Sequence, residues 1–121
     1  MALKQSEAKD MRTLAALAEP NRRLIVELLR SGPLTVGEIA EKLGFRQPQA
    51  SKHLKVLTES GVLEVTADMN KRFYKLRVEP FRELDVWVNS FLQTMTDRFD
   101  KLDDYLEKIK KTNKSNNRPK R

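Results

Sequence analysis

Residues 35–61 read TVGEIAEKLGFRQPQASKHLKVLTESG, and their spacing predicts two short helices joined by a tight turn. Thr35-Val36-Gly37-Glu38 has the Ser/Thr-x-x-Glu form of a capping box, in which the hydroxyl and the carboxylate each satisfy a free backbone amide of the first turn. Ile39, Ala40 and Leu43 follow on one face, and Gly44 supplies the left-handed residue with which a helix ends. A second helix opens at Gln47-Pro48, since proline suits a first turn, with Ala50, Leu54 and Leu57 on its inner stripe and Gly61 as its close. The whole stretch is a predicted helix-turn-helix.

Upstream, Met11, Leu14, Ala15 and Ala18 recur at spacings of three and four, which predicts a helix over residues 6–18 packed by that face. Pro20 restarts the chain, and Leu24, Ile25, Leu28 and Leu29 predict a second amphipathic helix that Gly32-Pro33 stops. Downstream of Gly61 the period changes from helical to two. Residues 62–66 and 72–77 are β-rich runs around a polar, glycine-free turn at 67–71, and they predict a hairpin, or wing.

From Pro80 onward, Phe81, Leu84, Val88, Phe91, Met95, Phe99, Leu102, Leu106 and Ile109 form a heptad seam with one four-residue insertion. A helix carrying it is on the order of 45 Å long. Its first half, widened by Trp87 and Leu92, is expected to cover the core of the domain. Its second half has no intrachain surface left and is expected to pair with a second copy. The expected fold is therefore mainly α with a small β-hairpin: a winged helix-turn-helix with a long C-terminal dimerisation helix. One domain is expected over residues 1–111, followed by a disordered basic tail at 112–121.

Composition narrows the chemistry. A chain of 121 residues fits one modest core, and its lack of cysteine removes disulfides, thiolate nucleophiles and thiolate metal sites. No apolar run reaches the ~20 residues of a membrane span, so no membrane association and a cytoplasmic location are expected. No nucleophile with its base, carboxylate pair or phosphate loop is visible, so no catalytic residue, enzyme activity or cofactor is expected. The net charge of +7 is unevenly spread. Residues 42–77 hold eight basic against three acidic residues, and residues 79–107 hold three against eight. A cationic middle is what a phosphate-binding face looks like in sequence.

Opposite Ala50, Leu54 and Leu57 lie Gln47, Ser51, Lys52 and Lys55, flanked by Gln49 and His53, with no carboxylate until Glu59. Glutamine pairs with adenine, serine with bases or phosphates, and lysine with guanine or phosphate, so this side suits insertion in the major groove of duplex DNA. Asn70, Lys71 and Arg72 on the wing are then expected to grip the flanking backbone or minor groove. Arg46, just before the helix, is either a phosphate contact or a poor cap.

The run from Leu14 to Val88 resembles the ArsR-type winged-helix repressors, and most closely their metal-free autorepressor branch; the blocks EPNRR, LTVGEIAEKLG and QPQASKHLKVL carry the likeness. The resemblance implies a homodimer joined through the first and last helices, which brings Met11 and Leu14 to the interface with Leu84, Val88, Phe91, Leu92, Met95 and Phe99. It implies a palindromic operator, often that of the protein's own operon, and base contacts from Gln47, Gln49, Ser51, Lys52 and His53. Arg46 departs from the family's usual cap residue, and the extension from Glu79 to Arg121 exceeds the family minimum. Metal sensing is not expected, because His53 is the single histidine and the last helix lacks the histidines that interhelical sites need. Asp97, Asp100, Asp103 and Asp104 read as a solvated face. Two other readings stay open: a dimeric protein-interaction module on the same scaffold, and a binder of nucleic acid without sequence preference.

Overall fold

The computed structural model describes residues 5–116, with side chains from 7 to 113. In chain order the elements are α1 (Gln5–Ala18), α2 (Pro20–Leu28), a single 3-10 turn (Leu29–Ser31), β1 (Leu34–Thr35), α3 (Val36–Leu43), α4 (Gln47–Glu59), β2 (Leu63–Asp68), β3 (Lys71–Leu76) and α5 (Val78–Asn116). The chain divides into two compact units, Met1–Leu84 and Asp85–Arg121, with the division inside α5. No helix among the described residues is long and apolar enough to cross a membrane.

The core of the first unit is built from Ile25, Ile39, Leu54, Leu57, Val62 and Leu63, all fully buried. Leu17, Leu34, Phe45, Tyr74, Leu76 and Phe81 close over them. Each buried Leu or Ile contributes about 1.5–3 kcal/mol by leaving water, and five of these six come from the helix-turn-helix and the two residues after it. α3 and α4 thus bury the stripes that the sequence predicts.

The start of α3 and the exits of both helices are fixed by hydrogen bonds. Thr35 Oγ1 accepts from the Glu38 amide at 3.2 Å, and Glu38 Oε1 accepts from the Thr35 amide at 3.0 Å, so the capping box is complete. At the far end of α3, Gly44 takes φ 70°, and the Phe45 amide donates to Ala40 O at 2.9 Å. The exit of α4 repeats this arrangement: Gly61 has φ 82°, its amide donates to Thr58 O, and the Val62 amide donates to Leu57 O at 3.0 Å. Both helices therefore end in the six-to-one bond that requires a left-handed residue, and each motif drops an apolar side chain, Phe45 or Val62, into or against the core.

Several expectations are corrected. The buried face of α1 is Thr13 and Ala16 with Leu17, whereas Met11, Leu14, Ala15 and Ala18 are exposed. In α2, Val26 is buried and Leu24 is exposed, because the face is set by Ile25, Val26 and Leu29. The hairpin turn shortens to Met69-Asn70, since Asp68 pairs with Lys71 and the strands run to the tip. Without a glycine, the left-handed position falls to Met69, at φ 55°. A third strand, β1, pairs antiparallel with β3 through Leu34↔Tyr74 and Thr35↔Phe73, giving the order β1-β3-β2.

The last helix departs further. Pro80 is buried and Phe81 and Leu84 are half-buried, yet Trp87 and Leu92, expected to widen a buried stripe, are 40% and 54% exposed. From Asp85 to Asn113 every residue except Ile109 is exposed. The helix also continues through residues 112–116, where the sequence reading expects disorder. The rest of that predicted tail lies outside the described residues.

Candidate nucleic-acid interface

α4 carries the candidate surface, and its inner stripe dictates which side chains face out. Ala50, Leu54 and Leu57 are buried, and one more position, His53, completes the i, i+3, i+4, i+7 series on that side. Gln47, Gln49, Ser51, Lys52 and Lys55 are all exposed, and their side chains make no hydrogen bond or ion pair among the described residues. Five polar groups that a solvated surface would tie to acidic neighbours stand unpaired on one helix free of carboxylates before Glu59. Such a face is chemically suited to base edges and phosphates.

His53 does not join that face. Its side chain is 16% exposed, with Nδ1 3.8 Å from Glu19 Oε2 and its ring 6.3 Å from that of Phe45. The position named by resemblance for base contact is turned towards the α1–α2 corner. Arg46 is the N-cap of α4 with extended backbone (φ −71°, ψ 144°); its side chain makes no cap, so it is an uncapping residue whose guanidinium is exposed beside the helix start.

The wing adds a second cationic group. Asn70, Lys71 and Arg72 are exposed at the tip and line one recess with Thr35, Val36 and Tyr74, so the wing tip lies beside the start of α3. The electrostatics agree. The Glu38 carboxyl is held below its ordinary range, first by the Thr35 amide, then by the Thr35 hydroxyl, against partial burial, with the charges of Lys71 and Lys42 adding to the effect. Lys75, by contrast, is occupied by Glu64 across the hairpin at 3.0 Å. Met69, which the sequence reading passed over, is 97% exposed at the turn. Its apolar side chain in an otherwise polar turn was the available signal.

Exposed apolar side chains occur on α1 and, separately, on α5. Met11 and Leu14 on α1 are 56% and 40% exposed, and on α5 Val88, Phe91, Leu92, Met95 and Phe99 are exposed, with Leu84 half-buried. Trp87 packs edge-on against Phe91 with ring centroids 5.1 Å apart. Large apolar side chains thus recur, exposed, along α5.

Residues 17–66 match the family described as Helix-turn-helix domain. The chain is 32% identical over 80 residues to the transcriptional repressor SdpR of Bacillus subtilis, covering 64% of this chain and 86% of that one. Its 38% identity to the biofilm growth-associated repressors of Xylella fastidiosa and Agrobacterium fabrum runs over 63 residues, about half of this chain and about half of theirs. Among solved structures, an ArsR family transcriptional regulator superposes with a TM-score of 0.68 at 27% identity, over 79% of this chain and 97% of the other. A homodimeric winged helix-turn-helix DNA-binding domain from Mycobacterium bovis superposes at 0.59 and 25% identity, over 80% and 91%. The helix-turn-helix, the three-stranded wing and these likenesses agree: the chain belongs to the ArsR-type family of winged helix-turn-helix transcriptional regulators.

Proposed function

We propose that this chain is a homodimeric, sequence-specific DNA-binding repressor of its own or a neighbouring operon, acting in the cytoplasm without catalysis and without a sensed metal. The observation that carries the reading is the exposed, unpaired, acid-free face of α4 beside the cationic wing tip. Gln47, Gln49, Ser51 and Lys52 read bases in the major groove, Lys55 and Arg46 hold phosphates, and Asn70, Lys71 and Arg72 grip the flanking backbone or minor groove. Residues 1–111 serve as one functional DNA-binding and dimerisation domain. The two copies join through the apolar side chains of Met11, Leu14, Leu84, Val88, Phe91, Leu92, Met95 and Phe99, most of which are exposed in the single chain. The repressor name of SdpR and the homodimeric state of the Mycobacterium bovis domain support this reading.

Selection of binding sites from random duplexes tests it. Enrichment of a palindrome with half-sites about 34 Å apart is expected, as two-fold symmetric helix-turn-helix proteins require. A pool that shows no enriched motif overturns the specific-repressor reading.

A further inference from the structure

The α1–α2 corner meets the reading helix at one charged contact. Glu19 is the N-cap of α2, where its carboxylate accepts from the Arg22 amide at 2.8 Å. The Arg22 guanidinium turns the other way and donates to Ala16 O at 2.7 Å and Ala15 O at 3.3 Å, carbonyls of the last turn of α1. From α4, His53 brings Nδ1 to 3.8 Å from Glu19 Oε2. The Glu19 carboxylate thus has a fixed amide on one side and the His53 imidazole on the other. Partial burial opposes its ionisation, but the Arg22 and Asn21 amides, with the charges of His53 and Arg22, outweigh that effect and hold its pKa below the ordinary value.

Among the described residues, no other ion pair joins α4 to another element. The inner stripe is apolar and tolerates small rotations, because dispersion between packed side chains has little directionality. A polar contact between a helix and the cap of its neighbour restrains an angle. The groups facing His53 are the Glu19 carboxylate from the α1–α2 corner, with Arg22 behind it, and from the α3–α4 turn the Phe45 ring, which does not titrate.

We propose that Glu19 and His53 form a positioning pair that fixes the angle at which α4 presents its outer face. This rests on the DNA-reading role of α4 given above. Breaking the pair from either side releases the same restraint, so the two single substitutions act alike on sequence preference.

The experiment uses the full chain and the variants Glu19→Gln, His53→Gln and the double substitution. In the free protein, melting temperatures form a double-mutant cycle. The expected result is non-additivity; additivity overturns the pair. With a duplex enriched from the random pool, each single variant is expected to lose about two- to fivefold of its preference for that duplex over a scrambled one, and the double variant no more than either. The salt slope, which counts phosphate contacts, stays at its wild-type value. A His53→Gln variant whose salt slope drops by about one reveals a direct phosphate contact and overturns the proposal. The same holds if Glu19→Gln keeps the wild-type preference. If wild type binds no duplex, the repressor reading fails, and the melting cycle decides the pair separately.

Discussion

The Arg77 guanidinium donates from Nη1 to Gly61 O at 3.1 Å, so the residue that follows the wing grips the turn that ends the reading helix. The Arg77 amide reinforces it by donating to Val62 O at 2.9 Å. Gly61 holds φ 82°, and a Cβ placed there would lie 3.3 Å from Arg77 Nη1. Gly61→Ala is therefore expected to cost about 1–2 kcal/mol from the left-handed conformation alone. Thermal or urea unfolding checks it.

Leu54 and Leu24 occupy similar positions in amphipathic patterns, yet Leu54 is fully buried and Leu24 is exposed. Leu54→Ala should lose about 2–5 kcal/mol through transfer and cavity terms, and Leu24→Ala should stay within roughly 0.5 kcal/mol of wild type. Equal losses in unfolding midpoints would contradict the packing described.

The capping box of α3 gives a pH-dependent prediction. Removing the cap with Thr35→Ala should cost about 1 kcal/mol. Glu38 has a depressed folded pKa, so its contribution is present above the ordinary glutamate value of 4.5 and is lost as pH falls through the folded value. Stability of the wild type should therefore fall on acidification more steeply than that of Glu38→Gln. Urea midpoints measured from pH 6 down to pH 3 test the sign.

On the reading helix, the two kinds of contact should separate by assay. Gln49→Ala or Ser51→Ala is expected to lower the preference for the enriched duplex by about 1–3 kcal/mol. Lys71→Ala, on the wing tip, should weaken binding to all duplexes alike and reduce the salt slope by about one. Competition binding at two salt concentrations distinguishes them.

The exposed seam yields the last prediction. Val88 and Phe91 are both about half exposed in the single chain. The double substitution Val88→Asp with Phe91→Asp is expected to give a monomer that no longer binds the full palindrome, because burying a carboxylate in an apolar interface without a partner is strongly unfavourable. Light scattering that still reports a dimer overturns the interface.

The sequence by itself determined what depends on near neighbours. The capping box at Thr35 and Glu38, the glycine exits at Gly44 and Gly61, and the inner stripe Ala50, Leu54 and Leu57 are local choices of backbone and period, and all appear as predicted. The outward polar face of α4 followed from the same stripe. Tertiary structure decided what depends on distant partners. β1 is two residues long and exists because β3 offers Phe73 and Tyr74 to pair with, and no two-residue run announces itself by periodicity. Which side of α1 is buried, Thr13 and Ala16 or Met11 and Leu14, was set by the shape of the surface beneath it, since both sides have helical spacing. The side of α4 on which His53 lies follows from its period with Ala50, Leu54 and Leu57, but that Glu19, 34 positions earlier, stands opposite it was decided by folding and has no mark in the order of residues around it.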